Sequence, residues 1–437
     1  MPFADLDTAA LGRSLAQIAD RDDDVADLFL ERRERVELAT EEGEPGLMAR
    51  REEGFAIRLL RQGRTWIAAR DGVEPEALTQ ALREIARVQP QTPYRPPRRF
   101  ELGAVADVDA PEVRSFPAAV ARRIRAAHVA FPFELRVARL RRWVQVVGPR
   151  LAADPVRESF YSVTARFPWG RFGDLFPALD REAEAETAAV LIDHLRARDA
   201  PATPTGSPPL VLGPAAAAVL LHEAVAHALE ADTLILSGRP EAACGVRLGG
   251  ENLSVLDDPA GAPEAVARAF DDEGVPATRR WLLRDGVVQE PLADLFFARS
   301  SGLLSPGAAR RSDRHAPPRP RSSHLELVPG ELEDEDLWRE ASGGVYLARA
   351  TRGRLDPVSG RFEIEFPFSH RIGREGPGEP QGPCRLRGRV HQLLTSIVAV
   401  GAQARFAGAG WCAKGGRRMP VWATCPPLLV RGLELSS

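Results

Sequence analysis

Apolar and polar positions recur with two periods along the chain, and the switches between them mark its elements. Residues 5–20 carry Leu6, Leu11, Leu15 and Ile18 at helical spacing. Val25 to Glu42 reads as a strand and turn. Gly46 to Arg70 reads as a second extended pair, in which Phe55, Ile57 and Leu59 alternate with small or polar neighbours and Gln62-Gly63 marks a tight turn. Pro75 to Val88 is amphipathic, with Leu78, Leu82 and Ile85 on one helical face. A Pro/Arg-rich stretch from Pro90 to Arg99 then breaks the pattern as a linker would. Beyond it the spacing predicts a helix near Ala118–His128, strands over Leu135–Val147 and Tyr161–Phe167, and a long helix from Arg181 to Arg198.

Ala200 to Pro209 is a second Pro-rich break. After it come a short apolar strand, Leu210-Val211-Leu212, then Gly213-Pro214, then an Ala-rich helix reaching about Glu230. Proline at the first helical position suits such a start. The remainder is short strand-like segments, such as Arg361 to Phe366, interrupted by Pro/Gly/Arg-rich loops at 304–322 and 373–384. The expected organisation is three domains, 1–99, 100–208 and 209–437. The expected fold class is α+β: a small N-terminal α/β unit, a middle α+β segment, and a larger, mostly antiparallel β domain at the C-terminal end.

Composition narrows the function. A formal net charge of −3 supplies no global basic field for nucleic acid. The Arg-rich stretches 95–99 and 310–321 lack the interleaved aromatics of a single-strand binder and read as solvated surface. No apolar run approaches the length of a membrane span. The opening residues turn acidic where a secretory signal would carry its apolar stretch, so a cytoplasmic protein is expected. The four cysteines (Cys244, Cys384, Cys412, Cys425) are too few and scattered for a disulfide framework. Lys414 is the only lysine among many arginines.

The candidate chemistry lies in His222-Glu223-Ala224-Val225-Ala226-His227. Neutral imidazoles suit zinc, and a carboxylate beside the first one can serve as general base. The usual zinc-peptidase spacing, H-E-x-x-H, puts both histidines on one helical face. Here the spacing is one residue longer. In a regular α-helix a five-residue step leaves the two side chains ~140° apart, too far round to share one ion. A π-bulge, with its i→i+5 bonding, would bring them together. The spacing therefore predicts a π-bulge or break near Ala224–Ala226. The bland alternative is a helix that happens to hold two histidines and a glutamate. The flanks (Ala215 to Leu221, then Ala228 and Leu229) are apolar nearly all round, which argues for burial, and buried His and Glu need partners. A third ligand must come from elsewhere. Cys412 sits in the glycine-rich Gly408 to Gly416, with Lys414 two residues on, where a cation would favour the thiolate. Cys412 could equally be a small buried hydrophobe.

These residues, taken in order, closely resemble the TldD branch of the TldD/PmbA peptidases. Leu220 to Asp232 is similar to that branch's H-E-A-V-G-H-G-L-E-G-D signature. Phe270 to Pro276 is similar to its D-D-E-G stretch, Gly353-Arg354-Leu355-Asp356 to a further segment, and Cys412 to Val421 to its C-G-K-x-G-Q-x-V-P-V terminus. The resemblance implies zinc (Zn2+) held by His222, His227 and Cys412, with Glu223 as general base. It implies hydrolysis of unfolded or leader-type peptides bound in extended form. It also implies a homodimer, or a heterodimer with a PmbA-like chain that lacks the zinc motif. A non-catalytic scaffold subunit of such a heterodimer is the alternative, and a thiol peptidase built on Cys412 a third reading. The chain departs from the pattern at Ala226, Ala228 and Ala231, which replace glycines and could narrow the cleft, and at Arg417, which replaces glutamine. The segment Arg319 to Ser323 is a reduced form of a family stretch that lies near the peptide. These changes put substrate scope in doubt more than the metal.

Overall fold

The computed structural model describes residues 2–41, 44–89, 103–104, 109–129, 133–167, 170–238, 244–302, 304–356, 358–414 and 418–436. The proposed linker Pro90–Arg99 and the Arg-for-Gln change at Arg417 lie outside the described residues.

Helix α1 (Thr8–Ile18) starts at Asp7, whose carboxylate accepts from Ala10 N at 2.8 Å. Strands β1 (Val25–Glu41) and β2 (Glu44–Arg61) pair antiparallel along their whole length, from Val25 opposite Leu60 to Glu41 opposite Glu44. Strand β3 (Arg64–Asp71) follows through a two-residue turn. Gln62 and Gly63 both take positive φ there (49° and 65°), as a hairpin turn of matched twist requires. Helices α2 (Pro75–Ala86) and α3 (Pro111–Ala126) come next. Strands β4 (Glu134–Gly148), β5 (Val156–Phe167) and β6 (Gly170–Phe176) then precede helix α4 (Arg181–Arg196).

These strands form one sheet in the order β3-β2-β1-β4-β5-β6, with two short strands off the path. β1 pairs with β2 on one side and β4 on the other, so strands from both sides of the expected 99/100 division are hydrogen-bonded neighbours. A linker-like composition reports on the local chain, whereas sheet membership is decided by pairing across sequence.

The sheet has two unlike faces. On one, Leu28, Leu30, Phe55 and Ile57 pack with α1 and α2, and Val137, Val163 and Ala165 pack with α3 and α4. The other face carries charge. Asp27, Glu31, Arg58, Arg142 and Glu158 are buried there against residues 268–273 and 310–314 of the C-terminal half. Arg142 donates to Glu31 at 2.8 Å, Arg268 to Glu158 at 2.7 Å, Arg58 to Asp27 at 2.7 Å, and Arg311 to Asp27 at 3.0 Å. Asp272 pairs with both Arg142 and Arg268, and Glu273 with Arg58. Arg310, Arg311, Arg314 and Arg321, expected on solvated surface, are instead buried. The carboxylates that hold them come from far away in sequence, where a reading of local charge cannot find them.

In the C-terminal half, two six-stranded sheets and a four-stranded one surround a large apolar core. The first runs Val287–Val288, Arg280–Arg284, Val255–Asp257, His324–Leu327, Met419–Cys425, Arg405–Cys412. The second contains β7 (Leu210–Leu212) between Val345–Leu347 and Leu428–Val430. Among the described strands, pairing is antiparallel apart from two parallel pairs, His324–Leu327 with Met419–Cys425 and β7 with Val345–Leu347. The fold is thus α+β with mostly antiparallel sheets. Among the described residues no helix is long and apolar enough to cross a membrane.

Candidate metal centre

From β7 the chain turns at Gly213 into helix α5 (Pro214–Leu221), whose alanines and leucines are buried among the sheets. Burial on all sides explains why this helix lacks a polar stripe. At His222 the winding changes. Residues His222–Ala226 form a π turn in which His227 N–H donates to His222 O, the i→i+5 bond that the spacing predicts. The two imidazoles come to lie with ring centroids 4.3 Å apart. Ala226 and Ala231, two of the alanines that replace glycine, are buried in packed apolar clusters.

Cys412 reaches the same place from the end of an edge strand. Its Sγ lies 3.4 Å from His227 Nε2, and one ligand atom each from His222, His227 and Cys412 lie within 4.8 Å of one another. All three residues are buried. Buried polar atoms ordinarily have partners, yet among the described residues His222 Nε2 has no hydrogen-bond partner; its Nδ1 meets Ser322 Oγ at 3.4 Å. Two imidazoles, a thiolate and an orphaned buried nitrogen are a donor set that fits zinc. Burial opposes the Cys412 thiolate, but the imidazoles of His222 and His227 beside it hold the thiol well below its ordinary range.

One residue that the sequence reading passed over completes the centre. After a short 3-10 turn the backbone becomes extended at Glu230, which aims its carboxylate back at His227 Nδ1, 2.9 Å away. That bond leaves Nε2 to face Cys412, the arrangement by which outer carboxylates orient metal-binding histidines. Burial works against charge on His227, but Glu230 outweighs it and raises the imidazole to about 10. Burial likewise opposes the charge on Glu230, yet His227, Arg321 and Lys414 hold its carboxyl well below the usual range. Lys414 therefore has a different job from the one its position suggested. Its ammonium binds Glu230, Asp232 (2.6 Å) and Thr233 (3.0 Å), fixing the carboxylate that fixes His227. A glutamate three residues after a candidate ligand, in an otherwise apolar stretch, was the available signal.

Glu223 is half-buried beside His222. Gly353, on the strand Arg352–Asp356, lies against it so closely that a Cβ there would sit 2.5 Å from Glu223 Cγ. Two other buried histidines have partners of their own. His324 is buried between Asp258 O and Thr424 Oγ1, and His370 Nδ1 donates to Gly378 O. All four cysteines are free thiols.

Residues 205–437 match the PmbA/TldA metallopeptidase C-terminal domain. The chain belongs to the TldD/PmbA family. Among TldD/PmbA relatives, a metalloprotease of Methanothermobacter thermautotrophicus is 33% identical over 230 residues, covering 52% of this chain and 50% of its own length. A metalloprotease TldD homolog of Haemophilus influenzae is 30% identical over 235 residues, covering 52% and 48%. A zinc metalloprotease TldD homolog of Saccharolobus solfataricus is 25% identical over 231 residues, covering 53% and 52%. The aligned region spans about half the length of these curated relatives. In fold the similarity extends over the whole chain. TldE from Thermococcus kodakarensis superposes with a TM-score of 0.73 at 18% identity, over 98% of this chain and 99% of that one. A putative modulator of DNA gyrase from Thermotoga maritima superposes with 0.70 at 20%, over 97% and 98%.

Proposed function

We propose that this chain is a zinc-dependent peptidase that hydrolyses unfolded or leader-type peptides. The observation that carries the reading is the buried triad itself: His222 Nε2 without a partner, beside His227 and Cys412. The metalloprotease names of its relatives support it. His222, His227 and Cys412 would hold the ion. Zinc bound there supplies Lewis acidity, which polarises a peptide carbonyl and makes water more acidic. Glu230 and Lys414 keep His227 in the ligating orientation. Glu223 takes the proton from the attacking water and returns it to the leaving amine. The peptide binds in extended form, and the chain works as a homodimer or with a PmbA-like partner.

Glu223→Gln tests the assignment. Under this reading turnover is lost while zinc content is unchanged. A variant that keeps full function would favour a non-catalytic scaffold subunit, which has no need of Glu223. Inhibition by thiol alkylation but not by chelators would favour a cysteine peptidase.

A further inference from the structure

A second feature lies where the charged face of the N-terminal sheet meets the strand pair that ends at Cys412. A cleft of about 200 Å³ opens there, lined on one side by Leu140, Phe160, Trp411 and Met419. Met419 pairs with Cys412 across the strands and packs against it, so one wall of the cleft is a direct neighbour of a candidate ligand. The rest of its wall is mostly arginine. Three carboxylates also line it, and each is already committed: Glu158 to Arg268 (2.7 Å), Glu34 to Arg51 (2.8 Å), and Glu52 to Arg314 (3.5 Å).

That leaves positive charge only partly answered. Arg311, 1% exposed, spends Nη2 on Asp27 and lies over the Phe29 ring, but its Nε and Nη1 have no hydrogen-bond partner among the described residues. Arg310, 2% exposed, likewise has a bare Nε. Nearer the rim, Arg50, Arg141 and Arg418 form no ion pair with a carboxylate among the described residues. Arg310 meets a carboxylate, Glu158, only at 3.8 Å, and burial with neighbouring arginine charge pushes it down to about 10 against the pull of Glu158 and Asp272. Buried donors without partners are costly, and an incoming anion would supply them. An apolar wall beside planar guanidinium forks suits a carboxylate carried on a short aliphatic stem.

We infer that this cleft is a subsite for a carboxylate of the peptide substrate, so that the chain selects acidic peptides. The inference takes its ligand from the peptidase reading, but its test is binding and needs no turnover. Zinc-loaded protein is titrated calorimetrically with an unstructured peptide carrying Glu residues, with its Gln twin, and with both as C-terminal amides. The Glu peptide binds about tenfold tighter than the Gln twin, the worth of one charge-assisted bond, and the gap closes as salt is raised. Equal binding of the Glu and Gln peptides, with both weakened by amidation, would assign the carboxylate to the peptide's C-terminus; a gap that survives amidation assigns it to the side chain. The double variant Arg141→Ala/Arg418→Ala, which removes two unpaired rim charges and orphans no carboxylate, lowers affinity for the carboxylate-bearing peptide and leaves the neutral amide unchanged. Equal affinity for all four peptides overturns the inference, as does a double variant that keeps the full preference. Acid-selective binding without hydrolysis would sink the peptidase reading and leave the subsite standing.

Discussion

Gly353→Ala should disable the enzyme without unfolding it or emptying its metal site. The added Cβ would sit 2.5 Å from Glu223 Cγ and 3.0 Å from both Cδ and Oε1. Carbon atoms rest about 3.5–4.0 Å apart, so one of the two must retreat by about 1 Å. Gly353 is on a strand paired along its length with Arg361–Phe366, whereas Glu223 is a half-buried side chain with free torsions. The side chain moves, and with it the carboxylate. A misplacement of about 1 Å at a reacting group can cost about a hundredfold in rate, or about 2.7 kcal/mol of barrier. The assay is kcat/KM on an unstructured peptide, with zinc content and urea midpoint measured on the same preparation. The expected result is one zinc per chain, an unchanged midpoint, and kcat down about a hundredfold with KM little altered. Full activity would refute the placement of Glu223 as base. Loss of zinc or of the fold would refute the claim that Gly353 acts through Glu223 alone.

Three further outcomes follow from the same contacts. Glu230→Gln replaces the charged acceptor that orients His227 with a neutral amide and should weaken zinc binding about 10–100-fold, read by chelator competition. Asp272→Asn leaves Arg142 and Arg268 short of a buried counter-charge and should cost about 3–5 kcal/mol in urea unfolding, with loss of contact between the N-terminal sheet and the C-terminal half. Asp271 is raised to about 8 by burial and by Glu273 beside it. Its folded value lies above an unfolded value near 3.9, so the folded state binds the extra proton between them. Asp271 therefore makes stability fall as pH rises from about 4 to about 8, by up to about 1.4 kcal/mol per pH unit, with no further effect above. Denaturant midpoints taken across that range should show the decline in the wild type and not in Asp271→Asn, which lacks the titrating group. A midpoint that rises steadily from pH 5 to pH 8 would contradict it.

What the sequence made legible was set by local physics. The one-residue excess between His222 and His227 is incompatible with a regular helix and a shared ion, and the π turn at His222–Ala226 is the local solution. Alternation in Phe55, Ile57 and Leu59, and the Gln62-Gly63 turn, are short-range signals and reappear as β2 and its turn into β3. What stayed illegible depends on distant partners. Arg311 and Arg314 look like surface until Asp27 and Glu31, more than 250 positions earlier, are brought against them. The loop 304–322 looked like an exposed interruption, and much of it is buried for the same reason. Gly353 could be singled out by resemblance, but only packing shows that its missing Cβ leaves room for Glu223. Lys414 stood out by its rarity, and its true partner, Glu230, required the chain to turn back on itself.

The account rests on one claim, that His222, His227 and Cys412 hold zinc. Metal content of the purified chain, for wild type, His227→Ala and Cys412→Ser, tests it most directly. One zinc per chain in the wild type, lost or weakened in both variants, is the predicted result. A wild type without zinc after metal-replete preparation would contradict it, and the scaffold reading would then take its place.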